Sequence, residues 1–515
     1  MTPLDFLRRH RLAIPIAAVV LGTGVAVAQF ADAAPAKPAT QPGLTGSWIS
    51  FAGGKLSYGH DAQGNRIPDY SSAGYEGGGV AIPSVATKDS VKPTGGDDTK
   101  SIQAAIDKVS ALPLNAQGFR GAVQLAAGTF RLAGSLHITA SGVVLRGAST
   151  NAAATTLVAI GATARTLVTI GSTAAYAVVG AQAKVTDTYV PVGGTSLTLD
   201  DASGLKAGDQ VVVERPTTQA WIDALGMQSD WKPNWSLRSE RTITAVSGNR
   251  ITIDAPLTTA LEKQYTQALV YRYTFPRIDH VGLENLTADG QAMTTDPKYA
   301  TDFYDSQFAM VDAVQDSWVD NVFGWHFGQN GAAGLTAASR RVSVLHTGSL
   351  DMVTTGTSAR SNGYTLSGQE NLIQDCEVTA SKVHAFETEQ RQSGPNVYSD
   401  CTATLIPSSY SASFDSGGHQ RWGGGTLYDD VVLQGSLNME DYGSEGSGHG
   451  WGDANSTAWN CGTTGLTLME PPTAHNWAVG CTGALAAGSD GQVESAGSHV
   501  LPTSLYAEQL AERGK

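Results

Sequence analysis

The sequence predicts an all-β chain wound as a right-handed parallel β-helix, with an N-terminal capping helix and a small β insertion. Three observations predict it. Between a helix pattern at Ser101–Leu112 and another at Leu505–Arg513, helix signals are scarce, and short β runs alternate with Gly, Asn and Asp. From Gly282 these runs recur and end in a polar or small residue, as in Leu283-Glu284-Asn285 and Ile373-Gln374-Asp375-Cys376. From Asn321 the positions His346, Cys376, Cys401, Asp430, Cys461 and Cys481 follow at intervals of 25, 30, 25, 29, 31 and 20 residues. All four cysteines sit at the same place in that repeat. One strand of about five residues per 20–30, stacked ~4.8 Å from the next, suits a parallel β-helix. The interval is too short for the four-stranded blades of a β-propeller. The usual handedness of parallel crossovers makes the coil right-handed.

The chain has 515 residues, 41% hydrophobic and 16% charged, which excludes intrinsic disorder. Its 59 glycines follow no three-residue period, which excludes collagen. A net charge of −14 without a basic tract makes it a poor binder of nucleic acid or anionic membrane. Residues 1–33 read as a signal peptide: Arg8-Arg9-His10-Arg11 is followed by an uncharged run, and two A-x-A sites end at Ala28 and Ala33. No second apolar stretch approaches membrane length. The expected mature protein is secreted or periplasmic and off the membrane after cleavage.

The elements follow in order. Residues 34–96 form a Pro/Ala leader and an irregular Gly/Tyr/Ser lobe, in which Asp61–Asn65 reads as a turn because most EF-hand ligands are missing. Residues 97–189 hold a short helix capped by Asp98 or Thr99, with Ile102, Ala105, Ile106 and Val109 on one face, and then the first coils. Residues 190–261 break the rhythm with hairpin-like strands around a Trp221–Trp235 loop and read as a β insertion. Residues 262–483 hold the regular coils, and 484–515 a tail with a short helix. The cysteines read either as a buried ladder or as disulfides between neighbouring coils.

The stretch Gly95-Gly-Asp-Asp-Thr-Lys-Ser-Ile-Gln-Ala-Ala-Ile-Asp107, the run Gly121 to Leu132 containing Gly128-Thr129-Phe130, and Gly142-Val-Val-Leu-Arg-Gly147 resemble the opening of the pectate lyase superfamily. That resemblance implies a right-handed β-helix whose end is capped by the helix. It also implies a fold shared by lyases, hydrolases, isomerases and phage tailspikes. The calcium-binding aspartate cluster of the well-known pectate lyases has no residue-by-residue counterpart here.

Two segments carry candidate chemistry, His419-Gln420-Arg421-Trp422 and Gly448-His449-Gly450-Trp451, each before a strand. Counted back from the repeat, they fall on equivalent places of consecutive coils. The same offset reaches Glu389 and Arg391 one coil earlier, and Glu470 one coil later. The expected catalytic residues are His419, Arg421, His449 and Arg391. Trp422, Trp451, Lys382 and His384 are expected to bind substrate, the tryptophans by stacking on sugar rings. No Lys or Arg occurs from Trp422 to Glu512, so Arg421, Arg391 and Lys382 are the obvious cations for an acidic sugar. A Ca²⁺ ion held by carboxylates of that span is the other source of positive charge; no cofactor is otherwise indicated.

Three functions fit. A polysaccharide lyase would neutralise a uronate carboxylate with Arg391 or Arg421 and use His419 or His449 as base or acid. The resemblance also implies an arginine as an optional base. A glycoside hydrolase would need two carboxylates flanking the bond, with Glu387, Glu389, Asp415, Glu440 and Asp441 as candidates. A non-catalytic surface protein would only bind sugar. The expected partner is a polysaccharide, and the sequence leaves monomer or trimer open.

Overall fold

A computed structural model describes residues 44–173, 175–227, 231–233, 235–295, 306–353, 362–381, 383–405 and 415–515. The expected signal peptide and Lys382 lie outside the described residues. Parallel strands stack coil upon coil in continuous ladders, and the fold is the expected right-handed parallel β-helix. The longest ladder begins with Thr87–Val91, Gly121–Leu125 and Val143–Arg146 and runs through Gly282–Asp289 to Gln492–Glu494. Its inward residues stack in register: Val123, Leu145, Leu283, Val319, Val344, Ile373, Tyr398, Tyr428, Ala458 and Ala478. All ten belong to one buried core that runs along the helix axis.

The polar residue read from the repeat is the corner of each coil. Asn285, Asn321, His346, Asp375, Asp400, Asp430 and Asn460 all have left-handed φ, between 51° and 57°, and Gly480 has 69°. A chain that must turn there without a helix selects residues that tolerate this region, chiefly Asn, Asp and Gly. At the start of the row, Asn321 donates to the Asn285 side chain at 2.7 Å, so the corners also bond to one another.

The next position on each coil points inward. There Cys376 and Cys401 form a disulfide across neighbouring coils, with Cα atoms 4.6 Å apart. Cys461 and Cys481 are adjacent, buried and reduced, with the Cys461 N–H on Cys481 Sγ at 3.4 Å. Both sequence alternatives therefore occur, one in each pair.

The first helix is Thr99–Ser110, two residues earlier than its hydrophobic pattern indicates. It buries Ile102, Ala105, Ile106 and Val109 in the main core. Asp98 does not cap it through its side chain. Its carboxylate instead accepts from Thr94 and from the Arg131 N–H, tying the helix start to the first coils.

The lobe before it is more ordered than its composition suggests. Ile49–Ala52 and Lys55–Tyr58 form a hairpin. Leu44, Ile49, Leu56, Ile67 and Tyr70 join the C-terminal helix Leu505–Glu512 in covering outer residues of the long ladder, among them Val397, Leu427, Trp459 and Trp477. Asp61–Asn65 is indeed a turn, closed by the Asp61 carboxylate accepting from Gln63 N and Asn65 N.

The insertion is wider than residues 190–261. A six-stranded sheet, antiparallel throughout, runs from Ala177–Lys184 to Leu269–Thr274 and contains a short helix, Gln219–Leu225. The strand Ala177–Lys184 leaves little sequence signal because it is largely exposed and lacks an apolar alternation. Buried Arg241 pins the sheet to the coils by donating to the Gly394 carbonyl at 3.0 Å, and Glu240 N donates to Gln369 at 2.8 Å. Among the described residues, no helix is long and apolar enough to cross a membrane.

Candidate active site

Four neighbouring strands of a second ladder form the floor: Asn362–Leu366, His384–Thr388, Asp415–Gly418 and Ser436–Met439. Register puts Asn362, His384, Asp415 and Ser436 in one row, and Thr365, Glu387, Gly417 and Asn438 in another further along the strands. An irregularity in the pairing between His384 and Glu387 disturbs the alternation of this strand. Such a break re-aims side chains. Glu387 is buried and held by Asn362 and by Thr365 Oγ1, the latter at 3.3 Å. His384 Nδ1 contacts the Asp415 carboxylate, which also accepts from Asn438 at 3.2 Å.

Above this floor the chain turns toward the long ladder. Arg391 N donates to the Arg421 carbonyl at 2.9 Å, and Arg421 N to the His449 carbonyl at 2.8 Å. Arg391, Arg421 and His449 therefore sit on one level of three successive coils. His419, two residues before Arg421, lies with its Nδ1 2.8 Å from Glu387 and 3.8 Å from Glu389. Its ring centroid is 4.7 Å from that of His449 and 5.5 Å from that of His384. The four residues expected to be catalytic are brought together, with His384, Glu389 and Asp415 beside them.

The two imidazoles carry opposite perturbations. Burial disfavours charge on His419, but Glu387 and Glu389 outweigh it and hold the ring up at about 10. His449 is pushed down to about 4 by burial and then by the charges of His419 and Arg421. Near neutrality the site thus holds a protonated and a neutral imidazole side by side. Glu389, which burial would raise, is held down at about 2 by His419. Glu440 is raised to about 7 by burial and then by Asp415.

Trp422 and Trp451 stand elsewhere than expected. Trp422 is 0% exposed and Trp451 8%, and both pack on Trp221, Ile222 and Leu225 of the insertion. Their indole N–H groups donate to Thr259 Oγ1 and the Leu225 carbonyl. They dock the insertion and present no open face for a sugar ring. Asp441 is exposed and its carboxylate caps a turn at Gly443. Glu470 has left the column: it pairs with His475 at 2.8 Å beside Asp61, in a separate cavity of about 500 Å³.

Three residues were not singled out as site residues from the sequence. Trp235, from the insertion, lies under the guanidinium groups of Arg391 and Arg421, 4.9 and 5.7 Å from its ring. Tyr442 faces His449 at 6.1 Å between centroids, and Asn362 holds Glu387. No local motif marks any of them; only register and the docked insertion bring them in.

Among the described residues, His384, Glu387 and His419 offer three donor atoms within 4.8 Å of one another. Two nitrogens and one carboxylate suit a transition-metal dication better than Ca²⁺, which prefers all-oxygen shells. In the structure the charge of His419 is balanced by both glutamates, which lie 2.8 and 3.8 Å from its Nδ1. Of the carboxylates considered for Ca²⁺, Asp429 is instead used by Ser504, Leu505 and Tyr506, and Asp453 by Ser456.

These pairings define the architecture. The chain is a right-handed parallel β-helix protein. No protein-family model matches it, and no curated relative does. Solved β-helix structures do. The tailspike gp49 from Pseudomonas phage LKA1 is 14% identical with a TM-score of 0.46, over 75% of this chain and 57% of that one. The chain thus spans little more than half the length of that tailspike. Pectate lyase Pel9A is 10% identical with a TM-score of 0.40, over 84% of each chain. The polygalacturonase from Erwinia carotovora ssp. carotovora is 9% identical with a TM-score of 0.36, over 81% of this chain and 96% of that one.

Proposed function

We propose that this β-helix protein is an exported polysaccharide lyase that cleaves a uronate-containing chain by β-elimination. One observation carries the reading: a neutral imidazole, His449, lies 4.7 Å from a protonated one, His419, and its backbone is bonded to Arg421, which is bonded in turn to Arg391. Elimination needs those three functions together. Arg421, with Arg391 beside it, neutralises the uronate carboxylate and so acidifies the hydrogen on the carbon next to it. His449 takes that proton. The electron pair becomes a carbon–carbon double bond, the bond to the glycosidic oxygen breaks, and the leaving oxygen takes a proton from His419. The proton then returns from His449 to His419 across the 4.7 Å between the rings. Groups of one chemical type pushed apart in acidity are a recurrent mark of acid–base assignments.

A hydrolase is the second reading. Glu440, raised to about 7 beside Asp415, has the acidity of a general acid. Incubation with a panel of uronate polysaccharides separates the two. A rise in ultraviolet absorbance from an unsaturated uronide, lost in His449→Ala, supports the lyase. New reducing ends without that absorbance, lost in Glu440→Gln but not in His449→Ala, would establish the hydrolase.

A further inference from the structure

We infer that the insertion is part of the substrate site: its Trp235, with Lys232 and Arg238, joins Arg391 in a subsite for a carboxylate on a sugar next to the one that reacts, beside Arg421, which serves the reacting sugar. The inference rests on the lyase reading for the place of the reacting sugar, and on independent observations for the subsite.

The first observation is the concentration of like charge. Arg391 Cζ, Arg421 Cζ and Lys232 Nζ lie 4.9, 5.7 and 5.6 Å from the centre of the Trp235 ring. This occurs in a chain of net charge −14. Among the described residues, no ion pair ties Arg391 to a carboxylate, and Glu389 is the acidic group nearest to it in effect. Arg238 pairs only loosely with Glu214, at 3.8 Å, and is half exposed. Arg391 is lowered by partial loss of solvent around its exposed side chain and then by Arg421 and Arg238, as repulsion among these cations requires. Gathering like charges around one ring costs free energy that a bound anion reduces.

The second observation is the rigidity of the aromatic between them. The Trp235 carbonyl accepts from Thr217 Oγ1 at 2.7 Å and from Trp231 Nε1 at 3.2 Å, and Trp231 is buried in the cluster that docks the insertion. The indole therefore stands on a fixed base, and its face attracts both guanidinium groups. Trp235 is a positioning residue: it holds two arginines of neighbouring coils at a fixed spacing despite their repulsion. Arg421 is further fixed by Ser447 at 2.9 Å and serves the reacting sugar, while the exposed Arg391, Arg238 and Lys232 extend the positive strip along the chain of the ligand.

The ligand class follows. A polymer with carboxylates on consecutive sugars satisfies both arginine positions, whereas a neutral polymer, or one with isolated uronates, leaves the strip unneutralised.

The test is calorimetric binding to the full chain carrying His449→Ala, which stops turnover on the lyase reading. The probes are oligomers of galacturonate, of mannuronate and of guluronate, a methyl-esterified oligogalacturonate, a neutral cello-oligosaccharide and a sulfated dextran. At least one free uronate oligomer should bind ten-fold or more tightly than the neutral probes, with affinity falling steeply with salt. Trp235→Ala and Arg238→Ala should each weaken it about five- to twenty-fold, and Trp235→Phe should restore most of the loss. Melting curves for each variant separate lost binding from lost docking of the insertion. Equal binding of neutral and uronate oligomers, tightest binding of the sulfated glucan, or an unchanged affinity in a folded Trp235→Ala variant would each overturn the inference. Tight uronate binding without any elimination by the wild-type chain would refute the lyase reading alone.

Discussion

Replacing Glu387 by Gln should move the alkaline edge of activity. Glu387 lies 2.8 Å from His419 Nδ1, and Glu389 lies 3.8 Å from it. Together they overcome the burial of the ring and hold it at about 10. Against an ordinary histidine near 6.5, that is about 5 kcal/mol in favour of the charged form. A carboxylate at such a distance shifts a neighbour by 1–3 units, so removing the nearer one should bring His419 down by about two units. A glutamine fits the same space: its oxygen can still accept from Asn362 while its amide faces the imidazole. If His419 supplies the proton to the leaving oxygen, activity is lost as it deprotonates. The alkaline limb of kcat/KM should fall near pH 10 in the wild type and near pH 8 in Glu387→Gln, while the acid limb set by His449 near pH 4 stays in place.

Stability gives a second readout. The folded state holds this proton more tightly than the unfolded chain does. The pair's contribution is therefore complete below about pH 6.5 and drains away as pH rises toward 10. Denaturant melts from pH 6 to 10 should show that decline in the wild type and a shallower one in the variant. An alkaline limb that stays near pH 10 in Glu387→Gln would refute the role given to the pair.

Other variants test other parts. Arg421→Ala should lose roughly 10²-fold or more in turnover, since it acts on charge that develops in the transition state, and Arg421→Lys should recover only part because lysine lacks the planar fork. Full activity in Arg421→Ala would remove it from the chemistry. Replacing Cys376 and Cys401 by Ser opens a bridge spanning 25 residues, for which loop entropy gives about 3.5 kcal/mol of lost stability by chemical denaturation. Asp429→Ala removes a buried carboxylate that accepts from Ser504 Oγ, Leu505 N and Tyr506 N, and should cost about 2–4 kcal/mol and expose the C-terminal helix to protease.

The fold was legible because each coil repeats one demand, a left-handed corner followed by an inward residue. Counting from Asn321 to Cys481 finds that demand without knowing its cause. The site was legible as a neighbourhood and blurred in detail. The sequence offset places His449 level with His419, whereas backbone bonding places it level with Arg421. The reason lies in the next coil: Arg421 stands nine residues before its corner at Asp430, and His449 eleven before Asn460, with Asn455 in a left-handed kink between. Extra residues of that kind leave no mark in composition. The tryptophans failed for a different reason. Trp422 and Trp451 sit among glycines beside titratable residues, as a sugar platform would, and only the three-dimensional position of the insertion shows that they are covered. The same docking supplies Trp235, which belongs to a loop nearly 200 residues earlier and carries no signal of its own.

The hairpin near the N-terminus and the last helix are fastened to each other as well as to the coils between them. Leu56 N donates to Glu512 at 2.6 Å, Tyr70 N to Gln509 at 2.8 Å, and Tyr506 to the Ala73 carbonyl at 2.6 Å. Solenoids commonly unravel from their ends, one repeat at a time. Here the two ends form a clasp, so neither can fray without releasing the other. The clasp also imposes an order on birth. Residues near 50–70 are made well before the surface they cover, which is completed only when residues near 459–506 arrive. Until then the lobe has no finished surface to close on.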